Sequence, residues 1–294
     1  TTSLTHYHHP NEKFAWYVGG YYESAEGFFT NNETGKKVDD LQSAGGRLRA
    51  LYLPSSRLKF DLNINYDFNN EGAYPYYYAG SLTEKEPYAD YVGKISNNNE
   101  SRYRRNMLNT GLNISYDLGD VEIRSVTSFQ NLCDRMFQDQ DFLPRDIYTM
   151  EQRQRINTLT EEVTARSKHG AIWNWVGGLN VTKQWLRTEG PVTFGKDGVA
   201  MLEQNINSVL PENPPMSINF REENLRMGGI FETPMVNIGV FHQSVFNITK
   251  ALSLTAGIRL DYEKNSMNYD TSSSVDYGFS MPSMHVDFQD LTAN

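Results

Sequence analysis

Nowhere in the 294 residues does an apolar run reach the roughly 18 residues that a membrane-crossing helix requires, so no such helix is encoded. Cysteine is almost absent. The one thiol, Cys133, permits neither an internal disulfide nor a cysteine metal cluster. Positive charge is also scarce: 27 Lys and Arg stand against 36 Asp and Glu, a net charge of -9. A nucleic-acid binder needs a basic face, so that class of partner is not expected. Catalytic signatures are missing as well; there is no G-x-S-x-G, H-E-x-x-H, Walker A or G-x-G-x-x-G pattern, and an enzyme is not expected. The adjacent carboxylates Glu161 and Glu162 would point to opposite faces of a strand and cannot flank one substrate. With no initiating Met and no apolar leader at its start, the sequence is expected to be a mature product or a fragment.

What the sequence has is alternation. Positions 58–68 read LKFDLNINYDF, with Leu58, Phe60, Leu62, Ile64, Tyr66 and Phe68 against Lys59, Asp61, Asn63, Asn65 and Asp67. A strand built this way has one apolar and one polar face. Similar segments recur at 14–22, 45–53, 106–117, 121–137, 155–167, 172–186, 226–248 and 252–263, predicting about nine strands and hardly a helix. Their connections alternate in length. Short turns fall at 54–57, 118–120, 168–171 and 249–251. Long segments fall at roughly 23–44, 69–105, 138–154, 187–225 and beyond about 264. In an antiparallel meander this sorts the tight turns to one end of the sheet and the long loops to the other. Aromatics gather toward strand ends: Phe14, Trp16, Tyr66, Phe68, Tyr116, Trp173, Trp175 and Trp185. Sorted loops, strands of about 9–11 residues or more and two aromatic girdles are what a transmembrane β-barrel needs. Only 38% of residues are hydrophobic, which fits a barrel wall with half its positions facing water. The predicted fold is all-β, an antiparallel up-and-down transmembrane β-barrel portion spanning residues 1–294.

The hairpins carry a resemblance. AGGRLRALYLPSSRLKFDLNINYDF (44–68), VEIRSVTSFQNLCDRMFQDQDF (121–142) and TEEVTARSKHGAIWNWVGGLNVTKQ (160–184) resemble successive barrel hairpins of TonB-dependent outer-membrane receptors. That resemblance implies a barrel of about 22 strands closed by a plug, placed in the outer membrane. It also implies uptake of a scarce nutrient, most commonly a ferric siderophore, energised by the TonB complex acting through the plug. Outer-membrane lipid and lipopolysaccharide would be further partners, and no resident cofactor is implied. The sequence departs from the family in having no plug-like segment before residue 14, no TonB box and no closing aromatic in VDFQDLTAN. A fragment covering about the first half of a receptor barrel is therefore expected. Two other classes fit the alternation alone: a soluble or surface-attached all-β module that binds glycans, and a passive porin-like barrel.

Ligand recognition in such a barrel belongs to the long loops. Segment 69–105 holds GAYPYYYAG, then Tyr88 and Tyr91, then RYRR. Tyr76, Tyr77, Tyr78, Tyr88 and Tyr91 supply rings with hydroxyl handles, and Arg102, Arg104 and Arg105 supply forks for anionic oxygens. They are the expected ligand-binding residues; arginines facing lipopolysaccharide phosphates are the alternative use of the same cluster. HYHH places His6 and His8 on one side of an extended segment, with His9 beside them, but too few donors converge for a metal. A polar edge or turn before the first strand is the simpler reading. Asp139, Asp141 and Asp146 lack EF-hand spacing and read as solvated loop acids.

Overall fold

Strict alternation and β-branched or aromatic residues give long strands here, and Gly, Pro and Asp break them. The computed structural model describes residues 1–294 apart from 73, 82–85, 169–171, 213–214, 272, 283 and 294. Eight long strands come first: β1 (Thr2–Asn11), β2 (Phe14–Ala25), β3 (Leu41–Tyr52), β4 (Leu58–Gly72), β5 (Arg102–Asp117), β6 (Val121–Asp139), β7 (Tyr148–Ser167) and β8 (Trp173–Glu189). A mixed segment follows, with β9 (Val192–Phe194), the helix α1 (Lys196–Val209), β10 (Ser217–Phe220), β11 (Leu225–Met227) and β12 (Ile230–Glu232). Then come the long strands β13 (Met235–Asn247) and β14 (Ser253–Asn265), short β15 (Asn268–Asp270), and the hairpin β16 (Ser273–Met281) and β17 (Met284–Ala293).

From β1 to β8 each strand pairs antiparallel with the next, and β8 continues to β13 and β13 to β14. The result is an up-and-down meander. Tight turns occupy 12–13, 53–57, 118–120 and 248–252; the turn expected at 168–171 falls largely outside the described residues. The long connections, 26–40, 73–101, 140–147, 190–234 and the chain after 265, lie at the opposite ends of the strands. The sorting expected from the sequence therefore holds.

Three details differ. HYHH lies within an edge strand, β1, where His6 and His8 flank the Trp16 ring at 5.5 and 5.6 Å. The segment 226–248 is three strands, because Gly228–Gly229 and Thr233–Pro234 interrupt pairing and proline has no N–H to give. The connection expected over 138–154 shrinks to 140–147, since β6 and β7 run on to 19 and 20 residues.

The register assigns the faces. Leu58, Phe60, Leu62, Ile64 and Tyr66 stand opposite Tyr116, Ile114, Leu112, Thr110 and Leu108 of β5, and Phe60, Leu62 and Ile64 opposite Tyr52, Ala50 and Leu48 of β3. Extended across the sheet, the same face carries Val18, Leu159, Val163, Leu179, Trp185, Ile238, Val240, Leu254, Ile258, Leu260 and Tyr262, all exposed. Burial runs the other way. Among the described residues the buried apolar side chains are Leu143, Val199 and Leu225, whereas Ser43, Asp61, Ser96, Asn97, Gln138, Asp139 and Ser244 are among the buried polar ones. A water-soluble domain buries its aliphatic residues. This wall presents them outward, as a lipid-facing surface does.

Polar pairs line the other face. Asp61, 5% exposed, accepts from Arg49 Nε at 2.8 Å and Nη2 at 2.7 Å, and Tyr21 donates to Asp67 at 2.8 Å. Glu161 and Glu162 point to opposite faces, as the strand period requires. Glu161 falls on the outward face, between Leu159 and Val163, where it stands opposite Thr127 and accepts from the hydroxyls of Ser125 and Thr127.

Candidate ligand-binding loops

The long connections form one hydrogen-bonded cap. Asn31 Nδ2 donates to the Asn97 carbonyl at 2.8 Å and Asn32 N–H to that of Ile95, joining 26–40 to 73–101. The backbone N–H of Asn99 donates to Asp139 Oδ2 at 3.1 Å, and Asp139 N–H to Ser101 Oγ at 3.0 Å. Segment 140–147 is tied in turn to α1. Gly195 at the helix start offers no side-chain cap, so the Asp146 carboxylate accepts from Lys196 N–H at 3.1 Å and the Asp146 carbonyl from Asp197 N–H at 3.0 Å. Arg145 Nη2 donates to Asp197 Oδ1 at 3.1 Å; this hydrogen bond raises the Arg145 pKa and holds the Asp197 carboxyl below the usual range. Gly198 lets the helix close on this segment, because a Cβ there would overlap the Ile147 carbonyl oxygen.

Under this cap lies a buried acid pair. Asp141 accepts three backbone N–H groups, from Leu143 at 2.9 Å, Ile147 at 3.1 Å and Tyr148 at 3.2 Å. Asp139, fully buried, accepts those of Asn99 and Phe142. Burial first, and then the neighbouring Asp141 charge, push the Asp139 carboxyl up to about 7; burial also raises Asp141. These acids were expected to be solvated, and they are instead structural acceptors. No group of three or more His, Cys, Asp or Glu capable of holding a metal occurs among the described residues.

The expected ligand residues divide into three sets. Tyr76 and Tyr77 are half exposed at the loop surface; Tyr76 stacks on Tyr74 at 5.6 Å and meets the Phe142 edge at 5.7 Å. Tyr78 and Tyr88 pack edge to face at 5.8 Å inside the loop, with Tyr78 donating to Glu86 at 3.0 Å, and Tyr91 is half-buried beside them. Arg145, which the sequence reading did not single out, donates to the Tyr88 hydroxyl at 2.9 Å and lies over its ring at 5.6 Å. No short motif marks Arg145; its partners lie 57 and 52 residues away.

The arginines separate by strand parity. Arg105 pairs opposite Asn69 and Asp134, on the polar face. Arg102 and Arg104 pair opposite Gly72 and Asn70, on the outward face, beyond the apolar rows. Arg102 is already held by Asp40 at 3.0 Å and Glu100 at 2.7 Å, while Arg104 donates, among the described residues, only to the neutral Asn70 at 3.1 Å. A hollow of about 190 Å³ opens between the first two long loops, lined by Asn31, Lys36, Asp40, Tyr74, Asn97 and Arg102 among others.

No family model matches the chain, and a search of curated proteins finds no match. Solved structures do match in shape. The ferric yersiniabactin uptake receptor FyuA from Yersinia pestis superposes with a TM-score of 0.64 over 99% of this chain at 13% identity. The ferripyoverdine receptor of the outer membrane of Pseudomonas aeruginosa gives 0.54 over 99% at 9% identity. The FpvAI–pyocin S2 complex gives 0.52 over 96% at 8% identity. The chain spans 40%, 37% and 36% of those chains, respectively. Sorted loops, an inverted pattern of burial and these superpositions agree: the chain has the fold of an outer-membrane siderophore-receptor β-barrel, over part of its circumference.

Proposed function

We propose that this chain forms part of the wall and ligand-binding loops of an outer-membrane receptor that takes up a ferric siderophore in a TonB-dependent manner. The observation that carries the reading is the inside-out wall with its loops gathered at one end, which supports a membrane barrel over a soluble glycan-binding module. Siderophore as cargo rests on what the structurally similar receptors are named for, and on the aromatic loop. Tyr76 and Tyr77 offer exposed rings for an aromatic chelator, and Arg105 a cation on the polar face for its anionic oxygens. Tyr78, Tyr88 and Tyr91 hold the loop that presents them. TonB coupling and a plug distinguish this reading from a passive porin; both are inferences from the family resemblance.

The test is binding and uptake by the whole protein in detergent and in cells. Ferric catecholate, hydroxamate and phenolate chelates are titrated by quenching of intrinsic fluorescence, and radiolabelled iron uptake is followed with and without a functional TonB. The double change Tyr76→Ala/Tyr77→Ala is expected to weaken binding of the preferred chelate about five- to thirtyfold, from roughly 1–2 kcal/mol of lost ring contact. Unchanged affinity would remove these tyrosines from the site. Uptake that persists without TonB would favour the porin.

A further inference from the structure

One carboxylate interrupts the lipid-facing side of the wall. Along β7 the outward positions run Arg155, Asn157, Leu159, Glu161, Val163 and Ala165, so Glu161 stands between two exposed aliphatic side chains. Across the sheet its level is apolar on both sides: Leu112 and Leu62 lie beyond Thr127, and Val181 and Ile238 follow on β8 and β13. Glu161 is six positions from Arg155 and six from Ser167, where the strand ends at a tight turn. Each span is roughly 20 Å at ~3.3 Å per residue, or about 15 Å along the normal at a tilt of ~40°. An apolar band is ~25 Å tall, so the carboxylate stands near its middle.

A charge at that depth is costly unless something pairs with it. Glu161 accepts from the hydroxyls of Ser125, at 2.6 Å, and Thr127. These bonds fix the carboxylate in place on the surface. They engage one site on each oxygen, whereas a carboxylate has about four sites, and neither hydroxyl carries charge. Among the described residues Glu161 forms no ion pair.

The opposite charge is on the next strand. Lys183 of β8 stands outward opposite Leu159, two residues nearer the loops than Val181, the partner of Glu161. Its ammonium lies over the Trp185 ring at 5.4 Å, on the side away from Glu161, and has no carboxylate partner among the described residues. One face thus carries an unpaired carboxylate and an unpaired ammonium side by side, framed by exposed Leu159, Val163 and Leu179. The offset of two residues is roughly 7 Å along the strand, within reach of a four-carbon lysine stem. A two-fold axis along the membrane normal sets such a patch against itself with unlike charges facing, because each residue meets the other's counterpart. An unrelated partner would have to bring both charges at matching depths. A second copy brings them by symmetry.

We propose that the outward face of β7 and β8 docks a second copy of this chain, with Glu161 of each copy paired to Lys183 of the other within the bilayer. The proposal rests on the membrane reading above, and on neither ligand nor TonB. Aliphatic packing alone gains little in lipid, whose tails are as apolar as leucine. The charged contacts, made twice and shielded from water, decide the association.

The test uses the whole protein reconstituted into vesicles over a wide range of protein-to-lipid ratios. Oligomeric state is read by single-molecule photobleaching of a dye attached to a loop. The wild type is expected to pass from one-step to two-step bleaching as the ratio rises. Glu161→Gln keeps an acceptor for the Ser125 and Thr127 hydroxyls, removes the charge, and is expected to weaken dimerisation about tenfold. Glu161→Lys and Lys183→Glu, each alone, set like charges across the axis and are expected to stay monomeric. In a mixture of these two variants both contacts unite unlike charges, and dimers are expected to return. Pairing inside one chain would leave that mixture unrescued. Should a reversed variant fail to insert, Glu161→Gln decides. A wild type monomeric at every ratio, unchanged dimerisation in Glu161→Gln, or a mixture no better than either variant would overturn the proposal. Failure of the wild type to insert into any vesicle would instead overturn the membrane reading.

Discussion

At the scale of single residues, buried charge marks where the chain stops being a wall and becomes a cap. Asp139 lies four residues beyond Arg135 on β6, above the apolar band, so its titration is that of an aqueous loop group. Its folded pKa of about 7 exceeds the ordinary carboxyl value because burial, and then Asp141, disfavour the anion. The folded cap therefore binds more protons than the unfolded chain between about pH 4 and 7, and its stability falls as pH rises through that window. Above pH 7 both states are ionised and the loss is complete. Asp139→Asn is expected to flatten this dependence, since an amide keeps one acceptor for the Asn99 or Phe142 N–H without the charge. Hydrogen exchange of Asn99, Phe142 and Leu143 at pH 4.5 and 8 reads it. Protection that does not fall at the higher pH in the wild type would show the pair to be stably ionised.

Elements are where the sequence was most and least legible. Alternation with a period of two survives any tertiary context, so LKFDLNINYDF and all of LSLTAGIRLDYE after Leu252 lay within strands as read, and their two faces follow from the register. The tight turns at 53–57 and 118–120 announced themselves through Pro, Gly and Asp, whereas 12–13 and 248–252 contain none of the three and the first of these was not read from the sequence. The helix α1 did not announce itself, because its first N–H groups are satisfied by Asp146, some 50 residues earlier in sequence, and its N-cap Gly195 is uninformative. Nor could parity in one strand show that Arg102 and Arg104 share a face with Arg135 and Arg153, which needs the pairing of three strands. The face assignment itself has a sharp consequence on β13. Val240 is 54% exposed, so in a water-soluble protein Val240→Arg would cost little. Facing the bilayer, it is expected to cost about 2–4 kcal/mol. Asn237→Arg, on the polar face of the same strand, is expected to be close to neutral. Equilibrium unfolding of both variants in vesicles decides it, and near-equal small effects would return Val240 to water.

At the scale of the whole sheet, the meander has two open sides. Among the described residues β1 pairs only with β2, and β14 only with β13. Every residue of β14 is exposed, and along its 13 residues about half the backbone N–H groups, ~6, point away from β13. In hydrocarbon each unsatisfied group costs several kcal/mol, so an open edge cannot persist in lipid and must meet another strand. This chain spans 40% or less of the solved structures on which it superposes. Residue-resolved hydrogen exchange separates the outcomes. With this chain alone in detergent, alternate amides of β14 are expected to exchange within seconds to minutes while those of β5–β7, paired on both sides, stay protected for hours. In the whole protein in its membrane, the same β14 amides are expected to be protected as strongly as those of β6. Slow exchange along β14 in the isolated chain would mean that the edge is already paired, by β1 or by a second copy. A cross-link between β14 and β1 placed within one chain or between two would tell a small closed barrel from a dimer.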